Sequence, residues 1–501
     1  MAKTHLPPHA SALMQSIRGV GYDVKSAIAD LIDNSITAGA GFVQVDFQWD
    51  GRDSIVSLLD NGDGMDTLML EQAMTLGSRN PLELRSPTDL GRFGLGLKTA
   101  SLSQCSRLLV ASKRKHGDIV TRIWDLDAVA QSNDWVVDDE PNPAETALIA
   151  RLQEVDSGTL VLWNRLDRLV GDASPDDVNA RLHYQRTARE IETHLAMTFH
   201  RYLEGRPARL KLNVNGSSDE HRVRPWDPFC QWHSATQEFA VARRQMKSGA
   251  VELTGFILPH KDRFETTDAF ELAGGSSGWA PHQGFYVYRN ERLLVPGSWL
   301  GLGRPRHWNK DERHKLARIR LDLPTALDAE WQIDVKKSKA APPLALRDWL
   351  TRHADVIRAE AREVFVHRGN RAPAKLQAEF CPIWLADAGS SARYRINRAH
   401  PAVSAALSAA PAAKSIVEQT LRLLETTVPI HRIWLDVAEK PEAPSPTKQQ
   451  LLDEEVATTA AHLLERLMTG HSLTRIAALQ RLRHLEPFDQ YPEVLAALEA
   501  Q

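Results

Sequence analysis

The chain has 501 residues, 43% of them hydrophobic, and a formal net charge of −3. That length suggests about three domains, and the near-neutral balance excludes a chain drawn as a whole to nucleic acid or to an anionic membrane. Cys105, Cys230 and Cys381 are too scattered for a disulfide framework or a metal cluster. With no apolar h-region in MAKTHLPPHASALMQ and no run of about 18 apolar residues, a cytoplasmic protein without a membrane partner is expected.

The first twenty-odd residues, with Pro7 and Pro8, read as an extended strap. A helix is predicted over Asp23–Thr37, where Val24, Ala27, Ile28, Leu31 and Ile32 recur at helical spacing. Asp30, Asp33 and Asn34 lie three and four apart on a second face. They suit either a solvated polar face or a magnesium site, because magnesium takes one or two protein oxygens and leaves the rest to phosphate and water. Strands follow at 42–47 and 54–60. The second strand ends in DNGDGM, residues 60–65. This is either a decorated turn or a carboxylate, Asp60, pinned by the sheet to accept a hydrogen bond from a buried ligand edge.

A helix over 66–77 leads to a polar loop at 78–90 and then to GRFGLGLKTAS, residues 91–101. Read alone, this stretch suits either a Gly-rich surface loop or a phosphate seat. The glycines let backbone approach a ligand, and the following helix directs free N–H groups at it. Further strands are predicted at 107–112, 118–126 and 157–166, with DDEPNPAET (138–146) as an acidic surface loop and a long helix at about 175–204. Beyond 206 come strands at 209–216, 250–259, 284–297 and 318–324, with WQIDVKKSKA (331–340) after them. The interval from Arg289 to Arg320 is rich in Arg and Lys, with Trp299 and Trp308 interleaved. It can track a phosphate backbone or be ordinary surface. The helix at 345–368 is amphipathic. SAALSAAPAAKS and KPEAPSPTK read as linker, and 448–470 and 473–487 as further helices.

Taken in order, DLIDNS, DNGDGM, GRFGLGLK and SGT resemble the four motifs of the Bergerat-fold (GHKL) ATPases, which include gyrase B, Hsp90, MutL and the histidine kinases. The GSR…GRFGLGLKTAS form is most similar to the MORC branch and less similar to MutL. The resemblance implies an α/β (α+β) chain with a Bergerat-type two-layer sandwich at 1–205. A ribosomal-S5-like transducer domain at 206–345 and a mostly helical C-terminal region at 346–501 would follow. It implies ATP and Mg2+ as ligands. Asn34 would coordinate the metal and Asp60 the adenine amino group. Gly62, Gly64 and Met65 would shape the adenine wall, with Thr159 in support. Gly94, Leu95, Gly96, Leu97 and Lys98 would hold phosphates under a lid at 78–97. The water-activating position, glutamate in the gyrase–Hsp90–MutL group, is Asp30. Lys337, with Lys336 and Lys339 beside it, would reach the terminal phosphate from IDVKKSKA. The implied activity is ATP hydrolysis that drives a homodimeric clamp. That clamp would act on DNA through 289–320, or on a partner from a defence or restriction system. The alternative is an Hsp90-like chaperone acting on protein clients.

Overall fold

The computed structural model describes residues 9–19, 21–77, 96–304, 306–334, 337, 340–366, 381–387, 393–409, 414–429, 453–471, 473–485, 487–488 and 491–500. The chain divides into two compact units, Met1–Arg362 and Glu363–Gln501.

The first unit opens with a helix, α1 (Ala10–Arg18), so the expected strap is helical from Ala10 onward; residues 1–8 lie outside the described residues. Ala10 and Met14, four apart, are both buried, and this spacing turns one face of α1 inward. Helix α2 (Val24–Thr37) starts where Asp23 caps it, the carboxylate accepting from the Ser26 N–H at 2.9 Å. Strands β1 (Phe42–Gln48), β2 (Ile55–Asp60), β3 (Arg107–Lys113), β4 (Ile119–Asp125), β5 (Gly158–Asn164) and β6 (Lys211–Val214) form one sheet in the order β4-β3-β5-β2-β1-β6. All neighbours are antiparallel except β1 and β6, so the strand expected at 209–216 completes this sheet.

The two-residue period of the strands sorts the core. Leu58, Val110, Val161 and Trp163 face the helical layer of α1, α2, α3 (Thr67–Met74), α4 (Gly96–Leu102) and α7 (Val178–Thr198). Leu59, Leu109, Leu160 and Leu162 face the other way, toward Ile149 and Leu152. Ile149 belongs to α6 (Pro143–Ile149), which follows a short α5 (Leu126–Ser132). The expected loop at 138–146 therefore contains a helix start. Asn142 and Glu145 form a capping box with Pro143 in the first turn, and buried Glu145 accepts from Arg107 and Asn164.

A four-residue α8 (His200–Leu203) leads to a second sheet. It contains β7 (Gln237–Glu238), β8 (Ala242–Met246), β9 (Gly249–Ile257), β10 (Gly284–Arg289), β11 (Arg292–Ser298) and β12 (Ala317–Leu323), with α9 (Thr267–Gly274) between β9 and β10. The order is β11-β10-β12-β9-β7, and β8 also pairs with β9. Asn290 and Glu291, at φ 47° and 65°, make the two-residue turn between β10 and β11, the left-handed pair that matches strand twist. Helix α10 is Leu344–Val366.

The basic interval 289–320 is not one exposed face. Arg289, Arg292 and Arg318 are buried, Arg289 pairs with Asp328 and Lys315 with Glu312, while Arg304, Arg306, Lys310 and Arg313 are exposed. The buried cations lie on the strands β10, β11 and β12, and the exposed ones on the connection between β11 and β12, a distribution that counting charges along the sequence does not resolve.

In the second unit, Trp384–Asp387 and Arg393–Ile396 form a hairpin ladder. Helices span Pro401–Ala409, Lys414–Thr427, Asp453–His471, Arg475–Leu482 and Pro492–Ala500. Its own core includes Leu463, Leu467, Leu482, Tyr491 and Leu495. Part of the expected linker SAALSAAPAAKS is thus helical, whereas KPEAPSPTK lies outside the described residues. Among the described residues no helix is long and apolar enough to cross a membrane.

Candidate nucleotide site

Helix α2 presents two buried carboxylates away from its apolar face. Asp30 and Asp33 are 3% and 0% exposed. The ammonium of Lys337 donates to Asp30 Oδ1 at 3.0 Å and to Asp33 Oδ2 at 2.5 Å. Arg292, the first residue of β11, lies 3.2 Å from Asp33 Oδ2 through Nε and 3.9 Å from Asp30 through Nη2. The Tyr22 hydroxyl donates to the other oxygen of Asp30 at 3.0 Å. Burial pushes the Asp33 carboxyl up, but Arg292 and then Lys337 more than offset this and hold it below the usual aspartate value. Burial, with the Asp30 charge adding to it, pushes the Tyr22 phenol well above its ordinary value, so it stays a donor.

The three polar residues of α2 therefore do not act as one ligand set. Asp33 is engaged by two cations and is not offered to a metal, a correction to the shared polar face read from spacing. Asn34 alone of the three is exposed. The helical repeat sets their relative angles, but partners from residues 292 and 337 decide which of them meet solvent.

Asp60, at the end of β2, is the second centre. Its Oδ1 accepts from the N–H groups of Gly62 at 2.9 Å and Thr159 at 3.1 Å, and its Oδ2 accepts from the Ser35 hydroxyl at 2.7 Å. Burial raises its pKa, while these three donors, Gly62 first, work against the rise. The register sets Ser112 opposite Thr159, and their hydroxyls are 2.8 Å apart. Ser112 Oγ also accepts from the Met65 N–H at 2.8 Å. Asp60, Thr159, Ser112 and Met65 are thus joined in one polar seam beside the DNGDGM turn.

The glycines of that turn have separate reasons. A Cβ on Gly64, at φ +68°, would lie 1.9 Å from the Lys113 carbonyl oxygen, so glycine is required by the close passage of β3. A Cβ on Gly62 would lie 2.8 Å from the Ala38 carbonyl oxygen and 3.2 Å from Asp60 Oδ1.

Gly96 begins α4 beside Asp30, 3.7 Å separating its would-be Cβ from Oδ2. Leu97 is half-buried against the main core. Lys98 is 2% exposed, and its ammonium donates to the carbonyls of Ala73 and Thr75 at 2.7 and 2.8 Å. It thus meets the C-terminal end of α3, where a cation is favoured by the helix dipole. Gly91, Gly94, Leu95, most of the expected lid, Lys336 and Lys339 lie outside the described residues.

Four participants escaped the sequence reading as site residues: Tyr22, Ser35, Ser112 and Arg292. Ser35 adjoins Asn34 in DNS and was in principle legible. Arg292 was visible only as one more cation in a basic interval.

Residues 22–159 match the profile of the family described as "Histidine kinase-, DNA gyrase B-, and HSP90-like ATPase". These residues lie within a GHKL-type ATPase fold. Over 120 residues the chain is 33% identical to the DNA mismatch repair protein MutL of Pseudoalteromonas translucida (strain TAC 125), a match covering 23% of this chain and 18% of that protein. Over 101 residues it is 32% identical to Protein MICRORCHIDIA 6 of Arabidopsis thaliana, covering 19% of this chain and 15% of the plant protein. The match thus spans less than a fifth of these relatives. MutL and the MORC-type protein are similar to this chain at nearly equal identity. A solved structure titled "Crystal Structure of N terminal domain of a DNA repair protein" aligns with 71% of this chain and 98% of its own at 14% identity and a TM-score of 0.39.

Proposed function

We propose that the chain binds ATP with Mg2+ and hydrolyses it, and that turnover works a conformational switch acting on DNA or on a DNA-processing partner, in a defence or restriction setting. The observation that carries the catalytic part is the meeting of Lys337 with Asp30. A lysine more than three hundred positions away in sequence touches the α2 carboxylate that the resemblance assigns to water activation. Lys337 holds a left-handed backbone at φ 52°, a conformation uncommon outside glycine that functional sites often retain.

In this reading 1–205, with β6 added to its sheet, is the ATPase domain, the rest of 206–345 a transducer that supplies Lys337, and 346–501 a helical region of separate role. Asp60 keeps free lone pairs after its three hydrogen bonds and accepts from the adenine amino group. Gly62, Gly64 and Met65 line the ring, and Thr159 and Ser112 hold Asp60 in place. Gly94, Leu95, Gly96 and Leu97 bring backbone to the phosphates. Lys98 contributes there by giving up the Ala73 and Thr75 carbonyls. Asn34, exposed at the mouth of α2, offers a neutral oxygen to Mg2+. Bound Mg2+ supplies charge neutralisation on the phosphates. Asp30 takes the proton of the attacking water, and Lys337 neutralises charge on the terminal phosphate. Tyr22 fixes the orientation of the Asp30 carboxylate. Aspartate is one methylene shorter than glutamate, and a misplacement of about 1 Å costs on the order of 100-fold, so slow turnover is expected.

The test is ATP turnover alongside binding of a nonhydrolysable analogue. Asp30→Asn and Lys337→Ala each lower turnover about 100-fold or more while the analogue still binds. Full turnover in Asp30→Asn would remove this carboxylate from the mechanism, and absence of nucleotide binding in the wild-type protein would remove the ATPase reading. A gel shift over a salt series tests the DNA part, because phosphate contacts weaken steeply with salt. Binding of unfolded clients with no DNA shift would favour the Hsp90-like alternative.

A further inference from the structure

Asp30, Asp33, Arg292 and Lys337 form a charge-balanced quartet, two anions and two cations. Their side chains are 3%, 1%, 4% and 7% exposed. The two cations differ in how they are held. Arg292 sits at the base of the β10–β11 turn, its backbone paired with Arg289. That turn is tied down from outside: Glu291 pairs with Arg209, and the Tyr202 hydroxyl donates to the Asn290 carbonyl at 2.6 Å. Arg292 Nη1 also donates to the Leu293 carbonyl at 2.9 Å. Lys337 lies on neither a helix nor a strand.

We infer that Arg292 is a positioning residue for nucleotide turnover: it is the fixed countercharge of Asp33 that lets Lys337 leave the two aspartates for a phosphate. This rests on the ATPase reading above and adds to it a residue outside the four motifs. The reason is electrostatic. An unpaired buried carboxylate is strongly unfavourable, so Lys337 can move off Asp33 only if another cation stays there. Arg292 stays because its hairpin is held. Asp30 is then left with Tyr22 on Oδ2, and Oδ1, with Arg292 no nearer than 3.9 Å, can accept a proton. Without Arg292, Asp33 retains Lys337, and the lysine is kept from the phosphate it should meet.

Five full-length proteins test this: wild type, Arg292→Gln, Arg292→Lys, Asp33→Asn and Asp33→Asn/Arg292→Gln. The measurements are steady-state ATP turnover, affinity for a fluorescent nonhydrolysable analogue, and thermal unfolding without nucleotide. Arg292→Gln is expected to lower kcat about tenfold or more with analogue affinity within about twofold, because the lysine and not the purine pocket is affected. Arg292→Lys restores part of kcat. The double variant regains most of the kcat lost in Arg292→Gln, since no carboxylate at 33 remains to hold Lys337. Its melting midpoint falls by less than the sum of the two single variants, as expected for coupled charges. If Arg292→Gln does not fold, Arg292→Lys and the double variant carry the comparison. Wild-type kcat in Arg292→Gln, or a double variant as slow as that single one, overturns the inference while leaving the ATPase reading intact. A wild-type protein that neither binds the analogue nor turns over ATP overturns both.

Discussion

At the scale of single residues, the site is governed by which buried carboxylates have a cation and which do not. Asp33 has two, and its depressed pKa makes it a stabilising charge. The sign follows from linkage. A carboxyl held below its unfolded value stabilises above that value, and the contribution is lost as pH falls through the folded one. Asp33→Asn is therefore expected to cost about 3–5 kcal/mol at neutral pH, the usual effect of breaking a buried pair. The deficit shrinks only in acid below the ordinary aspartate value of 3.8. Chemical denaturation across pH measures both. Asp60 is the opposite case: among the described residues it has hydrogen bonds but no cation, and its pKa is raised. Keeping it ionised is unfavourable to folding above its unfolded value. Asp60→Asn should thus melt at or above the wild-type temperature near pH 7, and that advantage fades in acid as the wild-type carboxyl protonates. The same change points an amide donor or a weaker acceptor at the adenine amino group. Nucleotide affinity is expected to fall by roughly 10–100-fold, the loss of a charge-assisted hydrogen bond. A titration that finds undiminished affinity would remove Asp60 from the purine pocket.

At the scale of elements, the turn between β2 and α3 shows how a motif glycine answers to packing as well as to a ligand. Gly64 passes so close to the β3 backbone that no side chain fits, quite apart from any nucleotide. Gly64→Ala is expected to lower stability by roughly 2–4 kcal/mol, from the left-handed φ together with the clash against the Lys113 carbonyl. A thermal melt without nucleotide measures this; an unchanged midpoint would mean the turn relaxes freely. Helix α6 teaches a related lesson. Its Asn-Pro-x-Glu start is a helix signal concealed in an acidic, proline-bearing stretch, and Glu145 is buried against Arg107 rather than exposed. At the second sheet, the hairpin turn at Asn290 and Glu291 brings Arg292 to α2, linking the proposed transducer to the helix that carries Asp30 and Asp33.

At the scale of the whole molecule, the first unit holds every described member of the candidate site, and the second has a helical core of its own. If ATP works a clamp, the protein should change assembly with nucleotide. Sedimentation with Mg2+ and a nonhydrolysable analogue is expected to double the mass found without nucleotide, and Asn34→Ala should abolish the shift by removing the proposed metal ligand. A mass independent of nucleotide would leave a switch within one chain. The proposed DNA contact falls to the exposed Arg304, Arg306, Lys310 and Arg313 rather than to the whole interval 289–320. Their replacement by serine should flatten the salt dependence of any gel shift.

The apolar stripe of α2, the strands β1 to β5 and the four short motifs are local in sequence, so most of the first sheet, the helix α2 and the resemblance to the ATPase family were legible from residues alone, whereas α1, read as a strap, and the place of β6 in the first sheet were not. Spacing on α2 also told which polar residues share a turn. It could not tell that Asp33 would be consumed by Arg292 and Lys337, that Lys98 would turn to the end of α3, or that Ser112 would brace Thr159. Those outcomes depend on segments tens to hundreds of positions apart. A buried charge takes whichever partner the fold delivers, and only the packed chain determines which one arrives.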